Sequence, residues 1–170
     1  TQHLIDLGHT RIAHLSGPTD TYSARRRREG CEQALVDAGL PLLASAESAY
    51  TINTGRDAMH QLLDSPTPPT GVVVANIASA AGGLMAARER GIAIPDKLSV
   101  IDLHDLELAA SLGPPLTTVR MPLEELGRGA VRLLLGTPWD QPIDAVIPGP
   151  MDIVERGSTD RPPPSSPSGG

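Results

Sequence analysis

The sequence predicts an α/β domain built on a doubly wound parallel sheet. Three observations predict it: short apolar-rich runs, helical stretches between them, and glycines that close those stretches. Val72-Val73-Val74 lacks the in-out alternation of a half-exposed strand and reads as buried on both faces, as a parallel sheet requires. The repeated β-α-β-α-β order then calls for helices on both sides of that sheet.

Each element follows in chain order. Residues 2–7 are the end of a helix stopped by Gly8, a residue suited to the left-handed cap. Ile12–Leu15 is a short strand leading into the loop Ser16-Gly17-Pro18. Helical spacing runs from about Ser23 to Ala38 and ends at Gly39. A weaker strand is expected at residues 48–51, then a helix from Thr54 to Leu63, broken by the SPTPPT stretch. Val72–Val74 is the next strand, Ala78–Arg90 a helix closed by Gly91, and Leu98–Leu103 another buried strand. An amphipathic helix covers about Pro122 to Leu135, with Pro and two Glu in its first turn and a Leu123, Leu126, Ala130 and Leu134 stripe. Short strands are expected at residues 145–147 and 152–154, and residues 160–170 read as a disordered low-complexity tail.

The chain has 170 residues and a net charge of −6, enough for one domain with a core and unlike a nucleic-acid-coating surface. Its aromatics are Tyr22, Tyr50 and Trp139, so Leu, Val, Ile and Ala must fill the core. No apolar run is long enough for a membrane span, and no secretory signal pattern opens the chain. It begins at Thr1 without an initiator Met, as expected of a processed chain or a piece of a longer one. One cysteine, Cys31, excludes an internal disulfide and reads as a small core residue. His3, His9, His14 and His60 lack metal-ligand spacing, so no metal is expected. No nucleophile elbow, phosphate loop or H-E-x-x-H motif occurs. His104-Asp105 has no nucleophile motif beside it, so no catalytic residue or cofactor is expected.

In an open α/β sheet, ligands bind beyond the carboxyl ends of the strands. That rule selects Thr19, Asp20 and Thr21 after the first strand, Asn76 after Val72–Val74, and His104 and Asp105 after Leu98–Leu103. The run Arg25-Arg26-Arg27-Arg28 divides by helical geometry. Cys31, Ala34, Leu35 and Ala38 define an apolar face; Arg27 falls close to it, while Arg25 and Arg26 point away. An Arg on that stripe needs a ligand oxygen or a carboxylate as partner, whereas Arg25 and Arg26 read as a solvated basic face.

Several segments, taken together, resemble the effector-binding core of LacI/GalR-type transcriptional regulators. They are HLIDLGHTRIAHLSGP, SARRRREGCEQALVDAGL, PPTGVVVAN, AARERGIAIPDKLSVI, PPLTTVRMPLEELGRGAV and VERGST, in family order from His3 to Thr159. The resemblance implies a type I periplasmic-binding-protein-like fold, with two α/β subdomains joined by crossovers around a small ligand. It also implies that residues 1–119 are most of the C-subdomain. Residues 120–145 would cross to the N-subdomain, and residues 146–159 would hold the returning strand. The helix-turn-helix head and most of the N-subdomain would precede Thr1. Helix 122–135 would then lack packing partners here and expose its leucine stripe.

By the same resemblance, Arg27, Asn76, Tyr50, His104 and Thr21 are the effector-binding residues. Arg and Asn supply forked hydrogen bonds to hydroxyls, and Tyr50 supplies an aromatic face for a sugar ring. The sequence departs from the family's pattern at two points. His104 stands where a ligand-binding Asp is usual, and Ile77 follows Asn76 in place of Asp. An anionic sugar facing Arg27 and His104, bound more tightly below about pH 6.5, is one reading of that change; a pocket without an effector is the other. Ala81, Leu84 and Leu112 are the homodimer contacts the family implies, with internal packing as the alternative for Leu84. The implied function is effector sensing and dimerisation for a cytoplasmic DNA-binding repressor, with operator DNA as partner through the head. A solute-binding receptor of a sugar transport system shares the fold, but PPLTTVR and VERGST favour the regulator.

Overall fold

Six strands lie in one sheet in the order β2-β1-β3-β4-β5-β6, in a computed structural model that describes residues 1–138, 145, 146, 149 and 151–164. The strands are β1 (Ile12–Ser16), β2 (Ser45–Glu47), β3 (Gly71–Val74), β4 (Ser99–Leu103), β5 (Thr117–Arg120) and β6 (Asp152–Val154). The first five pair in parallel, and β6 adds antiparallel beside β5. The helices are α1 (Gln2–Asp6), α2 (Tyr22–Asp37), α3 (Ile52–Leu63), α4 (Ile77–Glu89), α5 (Glu107–Ser111) and α6 (Leu123–Gly136).

Register turns the apolar runs into two cores. Ala13, Leu15, Val72, Val74 and Val100 share one face and pack with Met59 and Leu62 of α3 and Leu84 of α4. Ile12 and Ile101 take the opposite face, with Leu4 of α1 and Cys31 and Leu35 of α2. This double coverage is why β3 reads as an unbroken apolar run. Helices α3 and α4 approach closely because Gly55 and Gly82 sit at their contact. A Cβ on Gly82 would overlap the Ile52 carbonyl and lie 2.6 Å from the Arg56 amide nitrogen.

Gly8 takes φ +98 after α1, as its place in the sequence requires. The weak strand forms at Ser45–Glu47 rather than residues 48–51. It has one inward residue, Ala46, so it carries almost no apolar signal. Two elements have no counterpart in the sequence reading: α5 spans a single turn and a half, and β5 lies in a polar Thr-Thr-Val-Arg run. The strand expected at residues 145–147 is not seen at 145 or 146, and residue 147 lies outside the described residues.

Helix α6 has no buried residue, with Leu126, Leu134 and Leu135 all exposed, as expected of a helix whose apolar stripe is unpartnered. The tail boundary drawn at Asp160 needs correction. The Asp160 carbonyl accepts from His9 Nε2 at 2.9 Å and Ser99 Oγ at 3.0 Å, and its amide donates to Ser99 Oγ. The preceding Ser158 is buried and ties β5 to β4, accepting from the Thr117 amide and donating to the Val100 carbonyl. Residues 165–170 lie outside the described residues.

Candidate functional site

The carboxyl ends of β1, β3 and β4 deliver the side chains that the strand-end rule selects. The β1–α2 loop ends at Thr21, which caps α2: its hydroxyl accepts from the Ala24 amide and donates to the Pro18 carbonyl at 2.8 Å. That hydroxyl's hydrogen is therefore committed to the loop, leaving one lone pair for anything outside it. One turn on, the four arginines separate as helical geometry requires. Arg25 donates to the Asp20 carbonyl, Arg26 pairs with Glu29, and Arg28 pairs with Glu32 at 2.7 Å, all exposed. Arg27 alone of the four is half-buried, and its guanidinium donates to the Tyr50 hydroxyl at 3.4 Å.

Tyr50 lies between β2 and α3 with φ 60, a left-handed backbone uncommon for a residue with a Cβ. Its ring lies directly on Gly17, where a Cβ would overlap the phenol. Gly17 thus lets the ring cross the β1–α2 loop toward Arg27, a role that the Ser16-Gly17-Pro18 signal marked as a turn but did not reveal. Asn76 caps α4 by accepting from the Ser79 amide at 3.0 Å, and its amide group reaches the Tyr50 carbonyl at 3.4 Å. Arg27, Tyr50 and Asn76 therefore form one connected set. Both polar contacts to Tyr50 are long, hence weak and exchangeable for better partners.

His104 stands at the end of β4 with φ 85, its amide donating to the Val119 carbonyl at 3.1 Å. Burial lowers its pKa from 6.5, and the charge of Arg27 lowers it further. The imidazole is therefore neutral at pH 7, offering one donor and one acceptor. This corrects the expectation of a charge gained at about pH 6.5: burial and Arg27 move the protonation of His104 to lower pH. A cavity of about 320 Å³ adjoins Arg27 beneath α2, with Cys31, Val73 and Ile101 on its walls.

Asp105, selected by the strand-end rule and weighed as a partner for His104, instead faces two arginines. Its Oδ1 accepts from Arg156 at 2.6 Å and its Oδ2 from Arg120 at 2.7 Å. Arg156, first among these donors, holds the carboxyl down at about 2. Arg156 lies 51 positions away, so no local signal could have paired them. Among the described residues no group of three or more His, Cys, Asp or Glu side chains could hold a metal ion.

The residues assigned to a dimer contact divide. Leu84 is only 7% exposed and belongs to the core with Met59 and Leu62, so the internal-packing alternative accounts for it. Leu112 packs against the same cluster, and Ala81 is half-buried. The exposed apolar side chain on α4 is Met85.

Comparison with known proteins places this geometry in a family. A model of the periplasmic binding protein-like domain matches residues 1–159. The chain is 42% identical over 137 residues to the ribose operon repressor of Escherichia coli (strain K12), covering 79% of this chain and 42% of that protein. Among solved structures, a LacI family transcriptional regulator from Mycobacterium smegmatis superposes with a TM-score of 0.85 at 32% identity, covering 95% of this chain and 61% of that one. A dimeric Lac repressor with an 11-residue C-terminal deletion gives 0.84 at 32% identity, covering 95% and 59%. The chain thus spans less than half the length of the curated repressor it matches. The parallel sheet, the polar residues gathered at its carboxyl end and these matches together show that the chain belongs to the periplasmic-binding-protein-like domain family, within its LacI-type regulators.

Proposed function

We propose that the chain is the effector-sensing and dimerising region of a LacI-type transcriptional repressor, and that its effector is a small sugar or sugar derivative. The observation that carries the reading is the connected set Arg27–Tyr50–Asn76 at the carboxyl end of the sheet, with neutral His104 at the end of β4. Arg27 has no carboxylate partner among the described residues. It offers a fork of donors to adjacent hydroxyls. Asn76 and neutral His104 each add a donor and an acceptor, which suits a ligand rich in hydroxyls that both give and accept. The Tyr50 ring supplies an apolar face for the C–H side of a sugar. Thr21 serves at the rim.

A neutral His104 beside Arg27 suits the hydroxyls of an uncharged sugar, offering them one donor and one acceptor. Effector binding would favour one arrangement of the effector-binding region. It would thereby change operator affinity at a DNA-binding head, in the cytoplasm where the DNA lies. Such a shift requires the effector to bind the two arrangements with different affinity. The chain would form a homodimer, in line with the dimeric Lac repressor it resembles, and the exposed Met85 and half-buried Ala81 make α4 the candidate contact. The named relatives are repressors or transcriptional regulators, which favours this reading over a transport receptor and over an enzyme.

The test is thermal unfolding of the chain with a panel of pentoses, hexoses, nucleosides and their phosphates. A ligand present at 100 times its Kd stabilises by about 2.7 kcal/mol. An uncharged sugar should raise Tm in wild type and fail to do so in Arg27→Ala. No shift with any member of the panel would overturn the sugar assignment.

A further inference from the structure

The carboxylate of Asp105 is the meeting point of three segments that are far apart in sequence. It follows His104 directly, in the turn closed by the Leu106 amide donating to the His104 carbonyl. Its Oδ1 accepts from Thr118 Oγ1 at 2.9 Å and from Arg156 at 2.6 Å. Its Oδ2 accepts from both Nε and a terminal nitrogen of Arg120, at 2.9 and 2.7 Å. Arg120 is the last residue of β5, three residues before α6 begins, and Arg156 follows β6 by two residues. Arg156 is anchored in turn to the Leu116 carbonyl at 2.8 Å and Thr118 Oγ1 at 2.9 Å. Four donors satisfy a carboxylate whose side chain is 11% exposed, so no lone pair is spare for a ligand.

We propose that Asp105 is the positioning residue that couples the His104 turn to both segments leaving the sheet, the β5 exit and the β6 exit. His104 has a left-handed backbone, which a residue with a Cβ keeps only when its surroundings enforce it. The enforcing contacts are the His104 amide on the Val119 carbonyl and, one residue later, the Asp105 clamp across Thr118, Arg120 and Arg156. A ligand that displaces the His104 turn must therefore move Arg120 and Arg156 with it. The movement then reaches α6, whose apolar stripe is exposed. The functional meaning of this coupling rests on the effector reading above. The mechanical coupling itself does not, because it is measurable with no ligand present.

Hydrogen–deuterium exchange on the 170-residue chain tests it, comparing wild type with Asp105→Asn, Arg120→Gln and Arg120→Lys. Arg120 is 57% exposed, so its variants leave the core intact even where Asp105→Asn does not fold. Losing hydrogen bonds to a charged group should speed exchange of the His104 and Leu106 amides about tenfold or more. The β1 and β3 amides should stay unchanged, and Arg120→Lys should recover part of the protection. Unchanged exchange at His104 and Leu106 in Arg120→Gln would overturn the proposal. A uniform rise across β1 and β3 would overturn it as well, since that is loss of stability and not of coupling. A failure to bind any sugar would count against the effector reading alone.

Discussion

Replacing Asp102 with Asn removes a titrating carboxyl that is 1% exposed and has no hydrogen-bond partner for either oxygen among the described residues. Register places Asp102 between Val74 and Thr118, in a row that begins at Leu15 on the α3–α4 side of the sheet. Burial there pushes its pKa from 3.8 up to about 8, opposed only in part by the charge of Arg27. The folded chain therefore holds a proton that the unfolded chain has lost between those values. The stability it contributes is full below about pH 4 and declines as pH rises through about 8. The slope is about 1.4 kcal/mol per pH unit, and at pH 7 the loss reaches about 2–4 kcal/mol after relaxation of the site.

His14 works in the other direction. It is 1% exposed on the opposite face, without a partner for either ring nitrogen among the described residues, and burial lowers its pKa to about 4. Its contribution is present above pH 6.5 and is lost as pH falls toward 4. The other groups with lowered pKa values, His3, His9, His14, His104 and the Thr1 amine, act alike in wild type and Asp102→Asn, so the difference between the two chains isolates Asp102. Urea unfolding followed by circular dichroism at pH 5, 6, 7 and 8 measures both chains. The stability advantage of Asp102→Asn over wild type should grow by about 1.4 kcal/mol per unit and level off above pH 8. An advantage independent of pH across that range would refute the burial argument.

Two further outcomes follow from packing and hydrogen bonding. Gly82→Ala should destabilise the chain by about 2–4 kcal/mol in urea unfolding, because its Cβ meets the backbone of α3 at Ile52 and Arg56 and neither can yield without separating the helices. His9→Ala should cost about 2–4 kcal/mol in the same assay and free Asp160 to proteolysis, since the ring joins Thr70 at 2.9 Å, Ser99 at 3.1 Å and the Asp160 carbonyl.

The sequence indicated more of the candidate site than of the sheet's edges, for physical reasons. Arg27 was separable from its three neighbours because a helix assigns each position a direction, and the apolar stripe through Cys31 and Leu35 supplied the reference. Asn76 and His104 were selected as candidates by their place after strands, and both lie at the carboxyl end of the sheet. The edge strand β2 was misplaced by three residues because an edge strand with one buried position carries too little apolar pattern to fix its register. The partners of Asp105 and the isolation of His14 and Asp102 depend on residues brought together from distant parts of the chain, which no local pattern encodes. Leu84 was ambiguous for a related reason: helical periodicity marks an apolar face without telling whether a core or a second chain covers it.

The most direct test of the effector site is titration calorimetry at pH 7.5 with the sugar that most raises the Tm of the chain. Wild type should bind one equivalent. Arg27→Met should lose at least about thirtyfold in affinity, the worth of a charged hydrogen-bond fork, while its unfolding midpoint without ligand stays within a few degrees. Binding that is unchanged in Arg27→Met would place the sugar elsewhere and contradict the account.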